Sequence, residues 1–290
     1  MRIGTRGSAL ALAQARWVAE RLGPEVEIVE ITTLGDRGAA ALDKSRWVSE
    51  LERALLEDRI DLAVHSAKDV PTELPEGLEL VAIPERADSR DVICGAASLA
   101  ELAPGSRVGT TSLRRAAQLR ALRDDLVVTE LRGNVDTRLR KLAQGQAEAL
   151  ILAAAGLERL GRAGEAGGVL TQFVPAAGQG ALALEARLDA IEPRRLADVS
   201  DPEATACVTA ERALVHALGA SCHTPVGAHA HARDDGRVTV RGWVGVPDGS
   251  AWLRDELTGD PDLVGARCAE RMLAAGAADL LRQAAAEAVG

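Results

Sequence analysis

Tyrosine is absent from this chain and phenylalanine occurs once, so four tryptophans supply most of an aromatic content of only 2%. A protein that grips single-stranded nucleic acid by stacking bases on aromatic rings needs more than this. Positive charge is in the minority too. The 34 basic residues against 43 acidic ones leave a formal net charge of -9, which argues against a surface given over to a nucleic-acid backbone and leaves room only for a local basic cleft. Cysteine is sparse and scattered. Cys94, Cys207, Cys222 and Cys268 form no C-x-x-C pair, which points to free thiols in a reducing, cytoplasmic compartment rather than a disulfide scaffold. Long apolar runs are missing as well. Residues 8–18 come nearest, but Gln14 and Arg16 interrupt them at helical spacing, the pattern of an amphipathic helix rather than an export signal. His223, His229 and His231 raise the question of a metal site near Cys222, but no ligand spacing among them predicts one.

What is present reads as an ordinary globular α/β protein of two or three domains, with 47% hydrophobic and 27% charged residues in 290. A short strand at 2–5 leads through Gly7 into a helix with Leu10, Ala13, Trp17 and Val18 on one face. A strand over 26–32, a helix over 45–58 and an apolar run over 62–64 continue the alternation, predicting a parallel or mixed sheet covered by helices. Pro71, Pro75, Gly77 and Pro84 then break the pattern and place a boundary near 84–90. A second set follows: strand at 108, helix 113–123, strand 126–131, helix 135–144, strand 149–153. Beyond Pro175-Ala176-Ala177-Gly178-Gln179-Gly180, the run 181–185 reads as a strand able to rejoin the first domain. A helix over 204–218, strands over 239–244 and 251–258, and an Ala-rich helix over 263–286 make a small third α/β domain. The expected partition is 1–86 with 181–200, then 87–180, then 201–290.

Three constellations carry chemistry. Arg114 and Arg115 follow Thr110-Thr111-Ser112, with Ser112 placed to cap a helix. Exposed cations in a helix's first turn oppose its dipole by up to about 1 kcal/mol each, so an anion is expected there. The pattern recurs at Arg132-Gly133-Asn134-Val135-Asp136-Thr137-Arg138, where a capping Asn134 is flanked by Arg132 and Arg138. Both lie after predicted strands, where open α/β sheets bind ligands. They are either two sites for carboxylates or phosphates, or solvated arginines paired with Asp124, Asp125 or Glu130. The run Asp61-Leu62-Ala63-Val64-His65-Ser66-Ala67-Lys68-Asp69-Val70-Pro71 displays Lys68 and Asp69 at a strand end. There an acidic residue can exchange a proton or stabilise a developing cation, or simply belong to a solvated turn. Cys222, in Gly219-Ala220-Ser221-Cys222-His223-Thr224-Pro225, is the one cysteine outside an apolar context; it is an attachment point, a nucleophile or an ordinary thiol.

Taken together, Thr5-Arg6-Gly7-Ser8, Val64 through Pro71, Gly109 through Arg115, Leu131 through Leu139, Pro175 through Gly180 and Ser221-Cys222 resemble the porphobilinogen deaminase (hydroxymethylbilane synthase) family over about residues 2–258. The resemblance implies three domains, the first two like a type II periplasmic binding protein with the active cleft between them, and the third carrying the cofactor cysteine. It implies that four porphobilinogen molecules are deaminated and joined head to tail, with release of ammonia, on a dipyrromethane cofactor held by a thioether to Cys222. Asp69 would serve pyrrole nitrogens and stabilise the cationic azafulvene left when ammonia departs. Lys68, Ser112, Arg114, Arg115, Arg132 and Arg138 would hold cofactor and chain carboxylates, with Arg6, Ser8, Arg138 and Arg159 on the substrate side. A cytoplasmic monomer that hands its product to uroporphyrinogen-III synthase is implied as well.

One departure concerns a lid. Where the family has Gly-Lys-Gly-Leu-Phe, this chain has Asp43-Lys44-Ser45-Arg46-Trp47 after a shorter loop, with Lys44 and Trp47 as substitutes; a loop without glycines has fewer accessible conformations. Two other classes remain to weigh. A non-catalytic carboxylate-binding protein would use the fold and the arginines but neither Asp69 nor the Cys222 loop. A nucleic-acid binder conflicts with the charge and the lack of aromatics.

Overall fold

The computed structural model describes residues 1–32, 45–188, 190–191, 193–220 and 224–287. The chain opens with β1 (Arg2–Thr5), α1 (Ala9–Leu22), β2 (Glu27–Glu30), α2 (Ser45–Leu56), β3 (Leu62–Ser66) and β4 (Leu78–Ala82). Next come β5 (Asp91–Cys94), β6 (Arg107–Gly109), α3 (Leu113–Leu122), β7 (Val127–Thr129), α4 (Val135–Ala143), β8 (Ala149–Ala153), α5 (Ala154–Arg159) and β9 (Gly168–Val169). Then β10 (Leu182–Arg187), α6 (Pro193–Leu196), α7 (Pro202–Ala217), β11 (Val226–Ala232), β12 (Val238–Gly245), β13 (Trp252–Gly259), α8 (Pro261–Ala274) and α9 (Ala277–Glu287) complete it.

Two five-stranded sheets share one plan. The first runs β2-β1-β3-β10-β4 and the second β7-β6-β8-β5-β9. In each, three parallel strands are flanked by an antiparallel strand, β10 or β5, that enters directly from a crossing between the sheets. The fold is thus α/β with mixed sheets, as the alternating strand and helix signals predict, joined by the crossings at 83–90 and 175–181. The third sheet, β11-β12-β13, is a fully antiparallel meander backed by α7, α8 and α9.

The buried strands explain the sheets. β3 and β8 are near-continuous apolar runs buried on both faces, as strands covered by helices on each side must be. Ile3, Val18, Leu62 and Leu184 fill the core between α1 and the first sheet; Ile93, Val108, Leu119 and Ile151 fill that under α3. The third unit has its own core of Leu214, Val240, Cys268 and Met272. At about 25 cal/mol per Å² of apolar surface, each fully buried Leu or Ile contributes about 2–3 kcal/mol.

Two expectations need correction. β4 was hidden by its punctuation: Gly77 and Pro84 bracket a run too short to register beside Pro71 and Pro75, yet it pairs with β10 from Leu78 to Ala82. The terminal helix over 263–286 is two helices, because Gly276 adopts φ +103°, a conformation that ends α8 and that a side chain would resist. Among the described residues no helix is long and apolar enough to cross a membrane.

Candidate functional site

Every predicted anion-binding residue sits at the carboxyl end of a parallel strand. In the first unit, β1 delivers Arg6 and Ser8, and β3 delivers Lys68 and Asp69 through a short 3-10 turn at Ala67–Asp69. In the second unit, β6 leads to Ser112, Arg114 and Arg115, β7 to Arg132 and Arg138, and β8 through α5 to Arg159. This is the edge at which open α/β sheets receive ligands.

Three helix starts are capped by side chains, two of them, Ser112 and Asn134, nominated as caps from sequence, and the third Ser8. Ser8 Oγ accepts from Ala11 N at 3.3 Å, Ser112 Oγ from Arg115 N at 3.4 Å, and Asn134 Oδ1 from Thr137 N at 2.9 Å. Each cap leaves other first-turn amides facing the same edge. A cavity is lined by Arg6, Ser8, Gln14, His65, Ser66 and Asp69, so Ser8 and Asp69, 61 residues apart in sequence, share one surface. Gln14 Nε2 donates to Ser66 Oγ at 2.9 Å and ties α1 to β3 beneath it. The two units meet across the edge, since a Cβ built on Gly156 of α5 would lie 3.9 Å from Leu10 Cδ2 of α1.

The arginines divide into two kinds. Arg114 and Arg115 are buried, 5% and 6% exposed, and the anion they meet is the protein's own Asp91, which is wholly buried. Arg114 Nη1 donates to Asp91 Oδ2 at 2.7 Å and to Val174 O at 2.7 Å; Arg115 Nε donates to Asp91 Oδ1 at 2.9 Å and its Nη1 to Ile151 O at 3.0 Å. Burial alone would push the Asp91 carboxyl up, but the two guanidiniums and Gln179 hold it well below the usual carboxylate range. Two guanidiniums against one carboxylate leave one positive charge over, and Arg114 Nε is buried with no hydrogen-bond partner among the described residues.

Arg138 and Arg159 are different. Arg138 Nε donates to Gly133 O at 2.8 Å and Nη2 to Thr111 Oγ1 at 3.1 Å. Arg159 Nη2 donates to Gly180 O at 2.7 Å. All these acceptors are neutral. Burial, reinforced at Arg138 by Arg115, pulls both guanidiniums down to about 10. Arg132 lies further out, exposed and paired with Glu130 at 3.0 Å, one of the carboxylates named as its surface alternative.

Gln179 joins the two units. Its Oε1 accepts from Lys68 Nζ and from Arg115 Nη2, each at 3.4 Å, while its Nε2 donates to Ser89 O at 2.7 Å and Asp91 Oδ1 at 3.0 Å. Gly178 must lack a side chain, because its φ is +71° and a Cβ would lie 2.9 Å from Ala67, next to Lys68. Sequence reasoning missed Asp91 and Gln179. The available signals were an acidic residue heading the apolar run Val92-Ile93-Cys94 and a glutamine between two glycines.

Cys222, with Ser221 and His223, lies outside the described residues, as do Asp43 and Lys44; nothing of the Ser45, Arg46 and Trp47 side chains is described. The connection holding Cys222 joins α7 to β11, and β11 is docked on the 175–181 crossing by Ala228 N donating to Pro175 O at 2.9 Å. Glu211 of α7 fastens the same place, accepting from Gly178 N at 2.6 Å, Ala230 N at 2.6 Å and Arg86 Nη1 at 2.7 Å. The other cysteines are buried and their thiols pushed up to about 11 by burial, which leaves them inert. His229 contacts Ser89 Oγ at 2.8 Å and is pulled down to about 4, mainly by burial and then by Arg86.

Comparisons with known proteins match this chain to one family along nearly its whole length. Residues 1–198 match the family model described as porphobilinogen deaminase, dipyromethane cofactor binding domain, and residues 205–274 match that of the porphobilinogen deaminase C-terminal domain. A curated porphobilinogen deaminase of Deinococcus radiodurans is 47% identical, over 96% of this chain and 97% of the relative. One of Thermus thermophilus is 46% identical, over 97% and 98%. Among solved structures, a periplasmic substrate-binding protein of an ABC transporter from Coxiella burnetii is 12% identical, with a TM-score of 0.43 over 71% of this chain and 94% of that one.

Proposed function

The chain belongs to the porphobilinogen deaminase family, and from that premise we propose that Asp69 and the arginine-bearing strand ends act as one site on a growing pyrrole chain rich in carboxylates. The activity is that of a porphobilinogen deaminase, tetrapyrrole formation on a dipyrromethane cofactor. The observation that carries the site reading is the pair Arg138 and Arg159: two half-buried guanidiniums whose hydrogen-bond acceptors among the described residues are all neutral. A half-buried cation with no carboxylate hydrogen-bonded to it is costly, and acetate and propionate groups arriving at the cleft offset that cost.

The donor set fits the cofactor. Ser112, Arg132, Arg138 and Lys68 surround the strand ends, and the leftover positive charge of the Asp91–Arg114–Arg115 cluster faces the same crossing. Once bound through Cys222, the cofactor supplies the terminal pyrrole carbon to which the first substrate unit is joined. Arg6, Ser8, Arg138 and Arg159 bind and orient the incoming porphobilinogen by its carboxylates, through bidentate forks and capped helix amides. Asp69 balances the positive charge that develops on the substrate's methylene and pyrrole nitrogen as ammonia leaves. Lys68, held by Gln179, offers its ammonium to the carboxylates of cofactor and chain. The setting this reading carries with it is a cytoplasmic monomer that passes hydroxymethylbilane to uroporphyrinogen-III synthase.

The test is turnover of porphobilinogen, followed as ammonia and linear tetrapyrrole, in wild type and Asp69→Asn. Turnover is expected to fall by at least about 10²-fold, the scale of losing one charge-stabilising group, with the cofactor still attached. Near-normal turnover in Asp69→Asn removes Asp69 from the mechanism.

A further inference from the structure

Arg212 stands on α7, in the third unit, next to Glu211. Its guanidinium donates to three successive carbonyls of the first unit: Nη1 to Val70 O at 3.1 Å, and Nη2 to Pro71 O at 2.6 Å and Thr72 O at 3.2 Å. These carbonyls begin one residue after Asp69. Three backbone oxygens converging on a side chain about 140 residues away is an unusual use of an arginine. The usual reason for burying a guanidinium is a carboxylate or a ligand; Glu185 lies near enough to favour the charge, yet the fork's hydrogen bonds go to the three carbonyls.

The consequence for Asp69 follows from the backbone on either side of it. Upstream, Ala67 N donates to Ala181 O at 3.0 Å, and Gly178 packs on Ala67 at a distance that excludes a Cβ. Downstream, Val70 N donates to Ala67 O at 3.3 Å and closes the 3-10 turn. That leaves Val70 with its N–H committed to the turn and its C=O committed to Arg212, while Pro71 has a fixed φ. The dihedral angles that aim the Asp69 side chain are therefore pinned at one end by the crossing and at the other by Arg212.

We propose that Arg212 is a positioning residue for Asp69: a guanidinium fork from the third unit that holds the 70–72 carbonyls and so fixes the carboxylate at the point where ammonia leaves. The inference rests on the Asp69 role given above. It makes the unit that carries the cofactor cysteine also the unit that sets the geometry of the reacting carboxylate, through two adjacent residues. Glu211 fastens the crossing, and Arg212 fastens the turn. A lysine at 212 keeps the charge near Glu185, which senses the guanidinium, but offers a point donor in place of the planar fork.

The experiment uses the cofactor-loaded enzyme with Arg212→Lys and Arg212→Gln, measured beside wild type and Asp69→Asn. Intact mass reports cofactor attachment, a thermal melt reports folding, and steady-state turnover of porphobilinogen separates kcat from KM. For Arg212→Lys the expected result is an attached cofactor, a near wild-type melt, KM within about twofold and kcat lower by at least about tenfold, since small misplacements of a reacting group cost up to about 10²-fold. Should Arg212→Gln not fold, Arg212→Lys alone decides. A kcat within twofold of wild type in Arg212→Lys overturns the proposal, as does a raised KM with unchanged kcat. If Asp69→Asn is inactive while Arg212→Lys is normal, only the positioning role fails; if Asp69→Asn itself turns over normally, the underlying reading fails.

Discussion

Asp91→Asn removes one negative charge without changing shape, and its effect can be worked from the contacts. The carboxylate is wholly buried and accepts from Arg114 Nη1 at 2.7 Å, Arg115 Nε at 2.9 Å and Gln179 Nε2 at 3.0 Å. Asparagine keeps one oxygen and turns an amide N–H₂ toward two guanidiniums that are themselves about 95% buried. Removing one partner of such a cluster costs about 3–5 kcal/mol, a large part of a total stability of about 5–15 kcal/mol. The melting midpoint should fall by about 10 °C, read by circular dichroism or calorimetry. The acid side gives a second check. Because the folded-state value lies below the unfolded 3.8, the stabilisation is fully present above 3.8 and is lost as pH falls through the folded value. The gap between wild type and Asp91→Asn should therefore narrow between pH 5 and the most acid pH at which both still fold. A loss under about 1 kcal/mol at pH 7, or a gap that does not narrow, would falsify this account of the cluster.

Two further predictions concern other charges. Glu52 is 9% exposed and pushed up to about 7 by burial and then by Glu185, with His65 opposing. Its ionisation therefore opposes folding: the penalty is absent below the unfolded value of 4.5, grows as pH rises, and is fully present above about 7. Glu52→Gln should match wild type near pH 4.5 and exceed it at pH 8 in a denaturant titration, and equal stabilities at pH 8 would refute this. Arg138→Leu should lower kcat/KM by about 10- to 100-fold, the worth of charge-assisted hydrogen bonds to a carboxylate, while the melting midpoint holds or rises because a desolvated charge is gone. A melt that falls with the activity would mean that Arg138 serves the fold instead.

How far the sequence carried can be judged residue by residue. The helix starts at Ser112 and Asn134 were legible because capping is local, and so was the placement of Arg132 and Arg138 after a strand, whereas Ser8 and Arg159 entered only through the family resemblance. The anion facing Arg114 and Arg115 was not. Asp91 lies 23 residues upstream of Arg114, and its partnership exists only once β5 and β8 pair. Gln179 and Arg212 escaped for the same reason, since their partners lie about 90–140 residues away. The split at Gly276 was open to reading, but the alanine-rich periodicity on both sides outweighed one glycine. Cys222 stood out by context, and burial of Cys94, Cys207 and Cys268 leaves it the only cysteine not shown to be inert.

The most direct test of the central claim, a pyrrole chain anchored on Cys222 and held by an arginine-lined cleft, is intact mass under denaturing conditions. The account predicts an excess over the polypeptide equal to two linked pyrrole units in wild type and none in Cys222→Ser. A wild-type enzyme that is active at the bare polypeptide mass, or an excess that persists in Cys222→Ser, would contradict it.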